Sequence, residues 1–369
     1  VRSTADLISA VPYLLGFHPA ESLVLLAMRD TRIVFVARGD LPQSGDPASL
    51  RQAAEYLAAV IRRQGATAVT IIGYGPPQRV TPAVDEMEAM AQRAGLMIFD
   101  ALRVTDGRYW SYRCDQPQCC PPEGTPFDPA SSEVAAAATF AGHVALPDRA
   151  TLTSQVAPVD GTAREAMREA TRRARERLAA LLAKAPSADL LGAQAIRGAG
   201  LMAVRLAETR HRAGGQLSDD EVAWLTVLLT HLPVRDQTWE RIGADDWQVA
   251  LWSEVLRRAE PGLVAAPASL LAFAAWRSGN GALALIAVER ALADDPAYSM
   301  AQLMADVLVG GLPPSTLDGW PEPGRARPTG RNRPGRRSGP RGAAERSARS
   351  RRPSPYRRRD WRPSRRNAR

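Results

Sequence analysis

An α/β domain followed by an all-α domain is the fold this chain predicts, on three observations. Up to about residue 150, apolar runs of strand length alternate with amphipathic runs of helix length. From 160 to 317 almost every segment repeats its apolar residues at the three-and-four spacing of a helix. From 321 onward no apolar period survives, and arginine and proline take over.

The first helix is expected to start at Ser3 or Thr4, either of which can cap it, and to run toward Leu15 with Leu7, Ala10, Val11 and Leu14 on one face. A break at 16–19 precedes two apolar runs, 22–28 and 32–37. Arg29-Asp30-Thr31 joins them, so they read as a β-hairpin. A helix over 47–64 leads to "AVTIIGYG" at 68–75, a buried-strand pattern closed by glycine. A helix over 81–94 and a strand over 96–104 repeat the alternation, giving a sheet of mixed topology.

In the helical region, "GTAREAMREATRRARERLAALLAK" puts Ala163, Met167, Ala170, Ala174, Leu178 and Leu181 on one stripe. "LSDDEVAWLTVLLTHL" opens with Ser218 three residues before Glu221, a capping box. Residues 268–296 resemble a tetratricopeptide-type hairpin. Leu271, Ala272 and Ala275 lie in its first helix, Gly279 at the turn, and Ala284, Val288 and Ala291 in its second. A lone repeat cannot bury its own core, so a hairpin packed on neighbouring helices is expected rather than a solenoid.

The composition, 45% apolar and 24% charged, is that of a soluble globular protein. The longest mainly apolar run, 263–276, falls short of the roughly 20 residues a bilayer requires, so no membrane span is expected. Residues 7–17 follow Arg2 and could pass for the apolar centre of a signal peptide, but they contain Pro12, follow Asp6 and lead into Gly16-Phe17-His18-Pro19 rather than a small-x-small cleavage site. They read as a folded helix, and a cytoplasmic location is expected. The net charge of +9 is divided unevenly: residues 321–369 hold 18 arginines against 3 acidic residues, which leaves residues 1–320 at −6. The division expected is therefore an α/β domain at 1–150, a helical domain at 160–317 and a disordered basic tail at 321–369. Either the tail is a basic arm that binds nucleic acid without sequence preference, or it is the product of a frameshift in a GC-rich gene. The helical domain is the expected surface for a protein partner.

Several motifs invite a chemical reading. "GYGPPQ" at 73–78 follows a strand as a dinucleotide loop does. Gln78 replaces the third glycine, however, and Pro76 and Pro77 remove donors that a pyrophosphate needs, so a strand-ending turn is the reading here. The pairs Asp219-Asp220, Asp245-Asp246 and Asp294-Asp295 read as helix-end or solvent carboxylates, and Arg235-Asp236 as an interhelical ion pair. His18, His143 and Asp40 could act as base or ligand, and packed or hydrogen-bonded roles are the plain alternative.

All three cysteines fall in "YRCDQPQCCPPEGTPFD", 112–128. Cys114, Cys119 and Cys120 offer three of the four ligands zinc takes, with Asp115, His18 or His143 to complete the shell. The same spacing admits a structural loop, a redox pair joining Cys114 to either neighbour, or Cys119 as a nucleophile. Pro117, Pro121, Pro122 and Gly124 forbid helix or central strand, and Tyr109, Trp110 and Tyr112 offer anchors for the loop to fold back upon. The preferred expectation is a structural loop on a binding or regulatory module. The alternative is a metal- or thiol-dependent enzyme whose site lies where the loop meets His18 or Asp40.

"STADLISAVPYLLGFHPAESLVLL", "ARGDLP" at 37–42, the cysteine loop, "AGHVALPDRATL" and "GALALIAVERALADDP" together resemble the actinobacterial family known as domain of unknown function 4192. The resemblance covers most of residues 1–317. It implies a cytoplasmic protein of a high-GC bacterium, with His18, Leu41-Pro42 and the cysteine loop as signature positions, and it supplies no reaction.

Overall fold

A helix that begins the chain is fixed at both ends by local chemistry. Helix α1, Thr4–Leu15, starts where the Ser3 hydroxyl accepts the Asp6 N–H at 3.1 Å, and stops at Gly16, whose φ of 81° suits a residue without Cβ. The computed structural model describes residues 3–42, 47–129 and 132–319, and the basic segment 321–369 lies outside them.

The sheet grows inward from a hairpin at one edge. Strands β1, Ser22–Arg29, and β2, Arg32–Asp40, pair antiparallel, and β1 also pairs antiparallel with β3, Ala68–Tyr74. Helix α2, Pro47–Arg63, makes the connection between β2 and β3. Helix α3, Pro77–Arg93, then carries the chain to β4, Met97–Thr105, which lies parallel to β3. The parallel pair needs this crossover because no tight turn can join parallel strands. Strands β5, Arg108–Ser111, and β6, Thr125–Pro126, complete the order β2-β1-β3-β4-β5-β6.

Alternation along the strands sorts side chains to two faces. Leu23, Leu25, Val69, Ile71 and Ala101 pack with Ala54, Ile61, Val80 and Val84 of α2 and α3. Val24, Leu26, Ile72, Leu102 and Val104 pack on the other face with Leu7, Ile8 and Val11 of α1. Because both faces are covered, β1 and β3 read as continuous apolar runs rather than alternating ones.

Ten helices follow among the described residues: α4, Glu133–Phe140; α5, Arg149–Ser154; α6, Gly161–Ala183; α7, Ala193–Arg212; α8, Asp219–Leu228; α9, Leu232–Trp239; α10, Asp246–Arg258; α11, Ala265–Arg277; α12, Gly281–Asp294; and α13, Ser299–Val309. The capping box at Ser218 and Glu221 is formed in both directions. Gly279, with φ of 83°, and the Asn280 cap turn α11 into α12. Ala272, Ala275, Ala284, Ala287 and Ala291 are buried in the large helical core. The helical and sheet parts form one compact unit. At their junction the Tyr56 hydroxyl donates to the Val309 carbonyl, and the Gln64 amide to that of Gly311.

Three local readings change. Helix α3 begins at Pro77 rather than near 81, because proline at the first helical position needs no N–H partner; the prolines that end the strand also open the helix. Strand β5 is an element the reading above does not assign, and the Asp106-Gly107 turn that makes it possible has positive φ at both residues. Arg235 does not bridge helices through Asp236. That pair lies within α9 at 2.5 Å, and the interhelical contact of this buried guanidinium is the Tyr298 ring, 5.4 Å from its centroid.

Two of the three acidic pairs make structural contacts. Asp219 pairs with Arg258 and Asp220 with Arg173 at 2.6 Å, while Asp245 is the N-cap residue of α10. Asp294 accepts the Gly262, Val264 and Ala265 N–H groups at 2.8, 3.1 and 3.2 Å, so the end of α12 caps the start of α11.

Candidate functional site

The cysteine loop leaves the sheet at β5 and returns at β6, so two strands fix its ends. Tyr112 N–H donates to the Ala101 carbonyl at 2.8 Å, and the Tyr112 hydroxyl lies 2.8 Å from Thr81 Oγ1. Trp110 forms the floor. Its indole N–H donates to the Pro122 carbonyl at 3.0 Å, and the Arg103 guanidinium lies 3.5 Å from its ring centroid. Gly124 passes directly over this ring at φ of 84°, where a Cβ would come within 2.4 Å of the indole. Arg108 then donates to the Gly124 carbonyl at 2.8 Å. The aromatic anchors thus hold the loop through backbone and ring contacts, without calling on sulfur.

A tight turn brings the thiols together. The Gln116 carbonyl accepts the N–H groups of Cys119 and Cys120 at 3.1 and 2.8 Å, folding the chain back toward Cys114. Cys114 Sγ and Cys119 Sγ are 3.1 Å apart, and the three Sγ atoms all lie within 4.8 Å of one another. Cys119 is exposed and the other two are half-buried; none belongs to a hydrophobic core.

The three thiols do not titrate alike. Hydrogen bonds from the Cys120 and Cys119 thiols hold Cys114 below the ordinary thiol range, against the opposing charge of Asp115. The thiol bonded to Cys114 gives up its own proton less readily: Cys119 is raised, and Cys120 is pushed up to about 12. Of the three, Cys114 is therefore the thiol that gives up its proton most readily. Thiolate is the form that attacks electrophiles and ligates metals.

The other candidates lie elsewhere. Asp40 ends β2, at the opposite edge of the sheet, four strand spacings from β5 or roughly 19 Å. Its carboxylate pairs with Arg38 at 2.5 Å. His18 precedes β1 and lines a cleft at the carboxyl ends of β3 and β4, and His143 is exposed just beyond α4. Among the described residues, no imidazole or carboxylate joins the three sulfurs. Two residues of the cleft escape the motif reading: Tyr74, the one aromatic residue of β3, and Asp106, flagged only by its Asp-Gly turn.

Compared with known proteins, residues 5–315 match the family model described as Domain of unknown function (DUF4192), a span that takes in the sheet, the cysteine loop and the helices through α13. No curated protein and no solved structure matches the chain. Among the described residues, no helix is long and apolar enough to cross a membrane.

Proposed function

We propose that this chain, which belongs to the DUF4192 family, is a binding module whose 112–128 loop holds one thiophilic divalent cation, Zn²⁺ foremost. The observation that carries the reading is the convergence of three Sγ atoms within 4.8 Å on an exposed loop that other contacts already hold. Thiols kept for packing belong in a core, and these are outside every core of the fold. Zinc–sulfur bonds of about 2.3 Å set thiolates about 3.8 Å apart around a tetrahedral ion, a spacing that small side-chain rotations give here. Exposure of Cys119 leaves the fourth position open to water or to a ligand from a partner.

Metal uptake must displace protons from Cys119 and Cys120, so the apparent affinity rises with pH. The expected result is one zinc per reduced chain in competition with a chromophoric chelator, with each of Cys114→Ser, Cys119→Ser and Cys120→Ser lowering the affinity by more than the roughly tenfold to hundredfold that loss of an outer-shell partner costs. A reduced protein that never competes with the chelator refutes the reading.

A second reading is favoured by the 3.1 Å separation of Cys114 and Cys119. In it the pair reduces a disulfide such as oxidised glutathione: the Cys114 thiolate attacks one sulfur and expels a glutathione thiolate. Cys119 then loses its proton and closes the protein disulfide, expelling the second. Loss of two titratable thiols per chain with oxidised glutathione, and no zinc uptake by the reduced form, selects this reading over the first.

A further inference from the structure

At the carboxyl ends of β3 and β4, the parallel pair of the sheet, a cleft of about 320 Å³ opens between α1, the His18-Pro19 segment and the Asp106-Gly107 turn. It contains none of the thiols. We infer that this cleft binds a flat heteroaromatic amine, neutral or cationic, and rejects anionic ligands of the same shape.

The position is the first argument. In open sheets with parallel strands, ligands settle beyond the carboxyl ends, where the loops diverge. The volume is at the lower end of that of small-molecule sites, enough for one or two fused rings. Ile8, Pro12, Val104 and Phe127 give the cleft apolar walls of ring and branched carbon, surfaces against which a flat ring packs.

The polar groups set the chemistry. Tyr74 lines the cleft and is 8% exposed, yet its hydroxyl has no hydrogen-bond partner. A buried, unpaired hydroxyl is costly, and a ligand bearing a ring nitrogen supplies the acceptor it lacks. Burial holds the phenol protonated well above its ordinary range, so Tyr74 is available as a donor.

The charge is against anions. Asp106 and Glu21 both border the cleft; Glu21 is engaged by Arg79, whereas the Asp106 carboxylate has no partner among the described residues. Asp106 therefore accepts from an amine and repels a carboxylate or phosphate. The start of α3, just beyond Gly75, is where a nucleotide fold would hold phosphate, and here Pro76 and Pro77 remove two of its N–H groups.

The test uses adenine and its counterpart purine carboxylate, in which the amine is replaced by an acid, titrated into the full chain and followed by amide chemical shifts. Adenine is expected to shift resonances of Tyr74, Asp106 and Phe127 saturably, with the carboxylate at least about tenfold weaker. Tyr74→Phe removes a hydroxyl that nothing pairs, so the urea midpoint should hold while adenine affinity falls about three- to tenfold, the worth of one hydrogen bond. Asp106→Asn keeps a residue that tolerates positive φ and should abolish the preference for amine over acid. No saturable adenine binding, equal binding of the acid, or a Tyr74→Phe variant that folds and binds unchanged each overturns the inference. Should Tyr74→Phe fail to fold, Asp106→Asn alone decides.

Discussion

In the α11–α12 hairpin, every residue from Ala265 to Trp276 is buried, and the seam between the two helices is apolar, with the Asp294 carboxylate capping one end of it. In the 112–128 loop Gly124 is buried, while most of its neighbours are exposed or half-buried, and what holds the segment is a set of backbone carbonyls, an indole and one arginine. The hairpin spends its sequence on stability. The loop is kept in place by its frame, which leaves its three sulfurs free for chemistry. Stability and site are thus separable in this molecule, and substitutions should divide accordingly.

The largest effect is expected in the hairpin. Ala284 is fully buried, so Ala284→Trp should overpack the α11–α12 contact and lower stability by about 3 kcal/mol, with zinc uptake by the folded fraction unchanged. An unmoved urea midpoint breaks the packing described. Next is the loop floor: Gly124→Ala places a Cβ against the Trp110 ring at positive φ and should cost about 1–2 kcal/mol. Unlike the hairpin change, it should also weaken zinc, because the turn carrying Cys119 and Cys120 must move.

Asp294→Ala sharpens the hairpin side. Removing the carboxylate that accepts three N–H groups at the start of α11 should cost about 1–2 kcal/mol by thermal or urea unfolding and leave zinc affinity untouched. The smallest stability effect is expected for serine at all three cysteines, within about 0.5 kcal/mol in metal-free protein. Zinc stabilisation should vanish in that variant. A large loss of metal-free stability would place the thiols with the hairpin, as structural groups.

Linkage supplies the pH dependence. Cys119 and Cys120 are raised in the apo fold, so each must release a proton to bind zinc, and zinc-dependent stabilisation should grow from about pH 6 to pH 8. It is lost as pH falls, because protons then outcompete the metal for sulfur. A flat profile over that interval contradicts the assignment of these thiols as ligands.

How much could be read from the residues follows the same division. The α6 stripe of Met167, Ala170 and Ala174, the Ser218–Glu221 box and the hairpin at Gly279 were legible because burial imposes a period and caps are local. The anchors Trp110 and Tyr112 were legible because aromatic residues beside a proline-rich loop need a surface to cover. Strand β5 was not: four residues on the edge side of an Asp-Gly turn carry too short a pattern to show a period. Nor was the separation of Asp40 from the thiols, since strand order is a property of the assembled sheet and not of either segment. The unequal thiols were also beyond reach, because they depend on which sulfur donates to which.

The most direct test of the account is cobalt substitution of the full, reduced chain. Co²⁺ held by these sulfurs should give an intense thiolate-to-metal charge-transfer band and the visible absorption of a tetrahedral ion, saturating at one equivalent and displaced by Zn²⁺. Each serine variant should lower the charge-transfer intensity by about a third, one thiolate of three. A pale, octahedral spectrum without charge transfer, identical in the wild type and the triple-serine chain, would contradict it.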